Sequence, residues 1–109
     1  MVPLWRIQYY VSENDSCPFE EFIGRLPTRR ARADCFVWIE LLKQLGDALD
    51  GDEHVTHTHV LHEIHDRSVR IFYTFDGDSV VIFDGLLPGD DESLVEAIQR
   101  KAQDYAGYD

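Results

Sequence analysis

Two adjacent apolar segments joined by a short turn constrain the fold of this chain most. Residues 69–75 (Val-Arg-Ile-Phe-Tyr-Thr-Phe) favour a β-strand, and residues 79–84 (Ser-Val-Val-Ile-Phe-Asp) are the most apolar run of the sequence. Between them, Asp76-Gly77-Asp78 is typical of a β-hairpin turn. Because a strand as apolar as residues 79–84 has to be buried, we predict that it lies centrally in a sheet.

Two helices are predicted between residues 18 and 46. The first begins at Pro18 and ends before Pro27, whereas Thr28 can cap the second and Gly46 can end it. Apolar residues recur along both at helical spacings: Phe19, Phe22, Ile23 and Leu26, then Ala31, Cys35, Trp38, Leu42 and Leu45. Since only about two residues separate the helices, they should form an antiparallel hairpin.

The remaining segments complete an α+β order. Residues 4–10 alternate as a strand with one mostly buried face does, and residues 55–66 form one further, less regular strand. A capping box at Ser93 and Glu96 begins a last helix. The predicted order is β-α-α-β-β-β-α, a single α+β domain over residues 1–109 with a helical hairpin packed on a mainly antiparallel sheet.

Charge excludes several classes of function. The chain carries 21 acidic and 10 basic residues, a formal net charge of −11, which argues against a generic nucleic-acid binder, against direct DNA binding and against docking on anionic lipid. Residues 50–90 hold nine acidic and two basic residues, and therefore most of that excess. We expect no secretion signal, no membrane span and no cofactor. Cys17 and Cys35 lack CxxC spacing, which favours two reduced thiols in a cytoplasmic protein.

Several strings, in order along the chain, resemble one known superfamily. They are Trp5–Tyr10, Cys17–Pro27, Leu61–His65 (against a Leu-aromatic-Glu-Leu-Arg box), Val69–Tyr73 (against Tyr-Arg-Ile-Phe-Tyr) and Ile82–Gly89 (against a Leu-Leu-His-Gly-Phe turn with following lysines). In these strings, over nearly its whole length, the chain resembles the RelE/ParE superfamily of bacterial toxins, in particular its HigB-type, phage-derived branch.

The resemblance implies a fold, an activity and a partner. It implies a RelE-like domain that cleaves messenger RNA on the ribosome, as a metal-free endoribonuclease, and that is held by a helix-turn-helix antitoxin. Such cleavage needs a base for the 2′-hydroxyl, a cation for the phosphorane and an acid for the 5′ oxygen. Basic side chains must also hold the phosphate backbone.

The positions that carry this chemistry in the family differ in this chain. His65 stands for the arginine of the Glu-Leu-Arg box, Asp84 stands for the histidine before the glycine, and Pro88-Gly89-Asp90 replace the lysines. Arg70 keeps both its position and its type. Two hypotheses follow: an mRNA interferase in a toxin–antitoxin module whose histidines replace the lost groups, or a catalytically inactive relative that binds an antitoxin or another protein partner.

All five histidines lie within twelve residues, at positions 54, 57, 59, 62 and 65. If residues 55–66 were one strand, His57, His59, Glu63 and His65 would share a face. The histidines are then explained in three ways: as surface residues with no specific role; as an acid–base pair, His62 and His65, beside Arg70; or as ligands of zinc or nickel, with His57 and His59 joined by Glu63 or His65.

Four further features leave alternatives open. Arg70 either binds phosphate or pairs with Glu63 or an aspartate, and Asp84 either forms a turn or orients a histidine. Tyr73 alternates onto the face opposite Arg70 and is predicted to be core, the alternative being a platform on which an RNA base stacks. Residues 29–32 hold three arginines at the wrong end of a helix dipole, either as a solvated helix end or as a docking patch for an acidic or RNA partner.

Overall fold

The computed structural model describes residues 3–58 and 60–107. Its strands are β1 (Arg6–Tyr9), β2 (Val55–Thr58), β3 (Leu61–His65), β4 (Arg70–Asp76) and β5 (Ser79–Leu86). Its helices are α1 (Pro18–Arg25), α2 (Arg29–Leu45) and α3 (Ser93–Ala106), and a 3-10 turn (Gly46–Gly51) follows α2. None of the helices in these ranges is both long and apolar enough to cross a membrane.

The five strands form one mixed sheet in the order β1-β5-β4-β3-β2. β1 runs parallel to β5, and the other three pairings are antiparallel. The α+β class is therefore confirmed. β4 and β5 are joined by the turn at residues 76–79 and both lie inside the sheet, so the interior position predicted for residues 79–84 is also confirmed.

The segment predicted as one strand over residues 55–66 is two strands, and this prediction was wrong. β2 and β3 form a hairpin in which Thr58 pairs with Leu61, and the order becomes β-α-α-β-β-β-β-α. Only residues 62–65 of this segment pair with β4, and residues 55–58 pair instead with β3, which lets every strand of the hairpin form ladder hydrogen bonds. By folding back, the chain leaves the polar residues of β2 at the edge of the sheet, where water reaches them.

Each face of the sheet has its own core. One cluster joins α1 and α2 to the sheet through Phe19, Phe22, Cys35, Leu42, Ile71, Tyr73 and Ile82; the other joins α3 through Phe72, Val81, Phe83, Ile98 and Ala102. Tyr73 is fully buried, as predicted. β4 and β5 are thus covered on both sides, as their apolar sequences require.

The helical hairpin follows its predicted signals closely. Thr28 caps α2, since its hydroxyl accepts a hydrogen bond of 3.1 Å from the Ala31 amide. Gly46 ends that helix with a positive φ of 51°. The buried stripe of α2 differs by one position, because Ile39 is buried whereas Leu45 is exposed.

Gly85 provides a test of how tightly α1 packs on the sheet. The ring of Phe22 occupies the place where a Cβ on Gly85 would lie, whereas a Cβ on Gly89 would meet open space. We expect Gly85→Ala to lower the free energy of unfolding by about 1–3 kcal/mol, because the ring must move from a full core. Gly89→Ala is the matched control, with an expected change within about 0.5 kcal/mol. Urea denaturation measures both, and equal midpoints would contradict this packing.

Candidate functional site

Arg70, the cation that the RelE-like pattern retains, is held by two carboxylates. Its Nε donates to Glu63 Oε2 at 2.7 Å and its Nη2 to Glu63 Oε1 at 3.2 Å, a bidentate pair. Its Nη1 donates to Glu92 Oε1 at 2.8 Å. We name these three residues the Arg70 cluster; with two carboxylates and one guanidinium, its net charge is negative.

The sheet and α3 place the members of the Arg70 cluster. Glu63 lies opposite Phe72 in the β3–β4 register. Glu92 is the residue immediately before α3. The guanidinium lies 5.4 Å from the centre of the Phe72 ring. Hydrogen bonds to Glu63 raise the pKa of Arg70 although burial opposes them. Only 12% of the Arg70 side chain is exposed, so a phosphate could bind it only by displacing a carboxylate.

His62 lies on the other face of the sheet, against α1 and α2. The register puts His57, His62 and Tyr73 directly opposite one another on β2, β3 and β4. The rings stack, with centroids 5.0 Å apart for His57 and His62 and 5.3 Å apart for His62 and Tyr73. This stack lies on the face that α1 and α2 cover, whereas Arg70 lies on the face that α3 covers. His62 and Arg70 are therefore not brought together.

Burial determines the chemistry of this stack. It lowers the pKa of His62, although Asp50, whose Oδ1 lies 3.1 Å from Nδ1 of His62, opposes the shift. The lowered pKa favours the neutral imidazole of His62. Burial also raises the pKa of Tyr73, whose hydroxyl has no hydrogen-bond partner among the described residues. These features are those of a packed aromatic layer, with no open space for a reacting group.

His65 is the one predicted acid–base residue that the sheet brings next to Arg70. The two residues are directly opposite each other in the β3–β4 register. The hydrogen bonds of Arg70 nevertheless go to Glu63 and Glu92, and His65 lines a separate cavity together with His54. His62 and His65, three residues apart on one strand, point to opposite sides of it, so the pair does not form a joint site.

Asp84 lies inside β5 rather than in the turn that was predicted there. Burial raises its pKa, and hydrogen bonding to Gly85 and the charges of Lys101 and Arg25 oppose the shift. Within the described residues its side chain makes one hydrogen bond, accepting from the Gly85 amide at 2.8 Å. Neither the turn-forming role nor the histidine-orienting role proposed for it is seen in these contacts.

The metal-ligand arrangement predicted for a single strand does not form. His57 stacks on His62, on the face of the sheet that α1 and α2 cover. Glu63 faces the opposite side and binds Arg70. His59 lies outside the described residues. Within residues 3–58 and 60–107, no group of three or more histidine, cysteine or acidic side chains is arranged to hold a metal ion.

A groove along β1 was missed by the sequence prediction. It has a volume of about 630 Å³ and runs between β1 and α2, lined by Trp5, Ile7 and Tyr9 on one side and Ile39 and Lys43 on the other. We name it the β1 groove. The predicted buried face of this strand forms only in part: Trp5 and Ile7 are partly buried against the core, whereas Tyr9 is exposed.

The backbone of β1 is open toward this groove. The amides of Arg6 and Tyr10 donate to Asp78 and Ile82 on the β5 side. By alternation, the amides and carbonyls of Ile7 and Tyr9 point the other way, and no described strand pairs with that edge. A second cavity of about 260 Å³, lined by Phe19, Ile23 and Phe36, continues from Tyr9. The arrangement can accept an added strand together with apolar side chains.

Comparison with known proteins adds no relative to this picture. No family model matches the sequence, and no curated protein matches it either. The resemblance to RelE/ParE toxins rests on the strings quoted above and stays a prediction. The function has to be inferred from the contacts of the Arg70 cluster, the histidines and the β1 groove.

The two glutamates of the Arg70 cluster should differ in their effect on stability. The side chain of Glu63 is 18% exposed and that of Glu92 is 76% exposed. Glu63→Gln leaves a buried guanidinium without its bidentate partner, and we expect it to lower the free energy of unfolding by roughly 2–4 kcal/mol. Glu92→Gln is the control and should change it by less than about 1 kcal/mol. Thermal and urea unfolding measure both, and an equal effect would show that Arg70 is not held mainly by Glu63.

Proposed function

We propose that this chain is a RelE/HigB-like component of a bacterial or phage toxin–antitoxin module that binds a protein partner and does not cleave RNA. The observation that carries the proposal is the Arg70 cluster. Arg70 is the one cation retained at the positions where the family handles RNA, and here Glu63 and Glu92 neutralise it.

The chemistry of RNA cleavage supports this choice. A phosphorane transition state needs a cation that is free to face it. Three of the five N–H groups of Arg70 donate to carboxylates, and residues 50–90 around it hold nine acidic and two basic residues. Such a site repels a phosphate backbone. With His62 on the other face of the sheet, the groups for base, acid and charge stabilisation are not together.

One observation favours the alternative, an active mRNA endoribonuclease. His65 lies directly opposite Arg70 across β3 and β4, so an imidazole and a guanidinium are neighbours in the sheet. If Glu63 released Arg70 when RNA bound, these two side chains could act on one phosphate. This alternative requires the loss of a bidentate, largely buried ion pair, which is why we favour the binding function.

The β1 groove is the surface that we assign to the partner. It combines an open strand edge with apolar side chains, which is the requirement for recognition by strand addition. Tyr9 and Phe36 are exposed there. We infer that the occupant is an extended segment of an antitoxin-like protein. The charged residues that line the groove are Arg6, Lys43 and Glu40, so recognition is assigned to the strand edge and the apolar side chains.

Induced expression in a growing bacterium tests the absence of catalysis. We expect no growth arrest and no cleavage of messenger RNA, because the Arg70 cluster leaves no free cation for the phosphorane. The measurement is growth after induction, with primer extension on cellular messenger RNA and circular dichroism of the purified chain to confirm folding. Arrest that disappears in the folded double variant His62→Gln, His65→Gln would contradict the proposal and establish the nuclease.

A pair of variants on α2 tests the partner surface. Phe36 and Val37 are adjacent and equally exposed, at 55% and 59%, but only Phe36 lines the cavity that continues the β1 groove. Phe36→Asp should weaken binding of the protein encoded by the adjoining reading frame at least tenfold, because burying the new carboxylate is unfavourable. Val37→Asp, the matched control, should change the affinity less than about twofold. Isothermal titration gives both affinities; equal losses, or no binding by the unaltered chain, would contradict the assignment.

A further inference from the structure

A cavity of about 660 Å³ lies where the start of α2 meets the loop between β3 and β4. It shares no lining residue with the β1 groove, and it adjoins the Arg70 cluster through His65, which lies opposite Arg70 in the sheet. Its basic lining consists of Arg30 from α2, His54 before β2, His65 at the end of β3 and Arg67 in the following loop. We name it the arginine–histidine pocket. It collects two arginines and two histidines in a chain that is strongly acidic overall.

The two acidic residues of this pocket, Asp34 and Asp66, make hydrogen bonds within the protein. Asp66 Oδ1 accepts from the amides of Ser68 at 2.7 Å and Val69 at 2.9 Å, and its Oδ2 accepts from Trp38 Nε1 at 2.7 Å. Burial would raise the pKa of Asp66, but these hydrogen bonds together lower it. Asp34 accepts from the Ser68 hydroxyl at 2.9 Å. Both carboxylates therefore hold the loop against α2.

The basic residues, by contrast, have donors to spare. Among the residues that the structure describes, no hydrogen bond or ion pair engages the side chains of Arg30, Arg67 or His65. His54 uses only Nδ1, which lies 2.9 Å from Asp52 Oδ1, so its Nε2 is left for another partner. Several unpaired donors thus surround one open space.

The start of α2 adds to the positive potential at this place. Arg29, Arg30 and Arg32 lie at the positive end of the helix dipole, and the first turn has no acidic residue. Arg32 is partly satisfied, since it donates to the Leu26 carbonyl at 3.2 Å. Three arginines at this end are unfavourable for an isolated helix. A bound anion would remove that cost.

We propose that the arginine–histidine pocket binds the phosphate group of a small phosphomonoester. Guanidinium groups match the oxygens of phosphate in a bidentate manner, and imidazolium and hydroxyl donors can complete the shell. A cavity of about 660 Å³ falls within the size range of small-ligand sites and leaves room for the organic part of the ester. This site is separate from the proposed partner surface, and it stands whether or not that surface is correct.

Binding should strengthen as the pH falls. Arg30 and Arg67 face Asp34 and Asp66, so the lining becomes net positive only when His54 and His65 take up protons. Two charged groups outside this lining face its histidines: Asp52, which contacts His54, and Arg70, which lies directly opposite His65 in the β3–β4 register. Acidification favours the protonated form of histidine, so the measurement compares about pH 7.5 with about pH 5.5.

Titration of the whole chain with inorganic phosphate at pH 7 tests the site. We expect saturable binding of one phosphate, weakened about tenfold by Arg30→Gln and by Arg67→Gln, because each removes a charge-assisted contact. Arg29→Gln is the matched control, since Arg29 lies beside Arg30 but does not line the pocket; it should weaken binding less than about threefold. The proposal would be overturned if the unaltered chain showed no saturable binding of phosphate. It would also be overturned if Arg29→Gln weakened binding as much as Arg30→Gln.

The pH dependence of binding is measured with sulfate, because the charge of sulfate is constant between about pH 5.5 and about pH 7.5. Any change in affinity then reports protonation of the protein. We expect sulfate to bind about tenfold more tightly at pH 5.5 than at pH 7.5, and this dependence should diminish in His65→Gln. A flat profile would contradict the role of the histidines. Binding of a short RNA with no binding of phosphate would overturn the small-ligand assignment in favour of a nucleic-acid site.

Discussion

Burial of β4 and β5 on both faces is the constraint on which the rest of the molecule depends. Their pairing brings Ile71, Tyr73 and Ile82 under α1 and α2, and Phe72 and Val81 under α3. Two covered faces leave little room for polar side chains in the middle of the sheet. Within the sheet, the histidines and Arg70 therefore lie at strand ends or on the β2–β3 hairpin, and the Arg70 cluster and the arginine–histidine pocket form there.

The same constraint explains why Arg70, which matches the RelE-like pattern in position and type, is held in an ion-pair cluster. Arg70 begins β4, at the boundary between core and solvent, where a guanidinium needs partners once it is largely buried. Glu63 and Glu92 supply them. In the described contacts Arg70 therefore has a structural role, because its hydrogen bonds connect β3 and the start of α3.

Several features that depend on residues close together in the sequence were predicted correctly, and several features that depend on residues far apart in the sequence were missed. The turn between β4 and β5, the Thr28 cap and the α2 ending at Gly46 are local and were predicted correctly. The split of residues 55–66 was missed because it depends on which residues pair with β3 and with β4, and alternation within the segment does not show that. The arginine–histidine pocket was missed as well, since α2 and the β3–β4 loop meet only through the fold.

The parallel pairing of β1 with β5 has a consequence for folding kinetics. Arg6 pairs with Ser79, so the first strand finds its partner more than seventy residues further along the chain. Closing so large a loop is entropically expensive and slow compared with forming the β4–β5 hairpin. On the ribosome the helical hairpin is synthesised long before the sheet that covers it. The N-terminal strand should therefore be among the last elements to dock and, with one edge unpaired, among the first to leave.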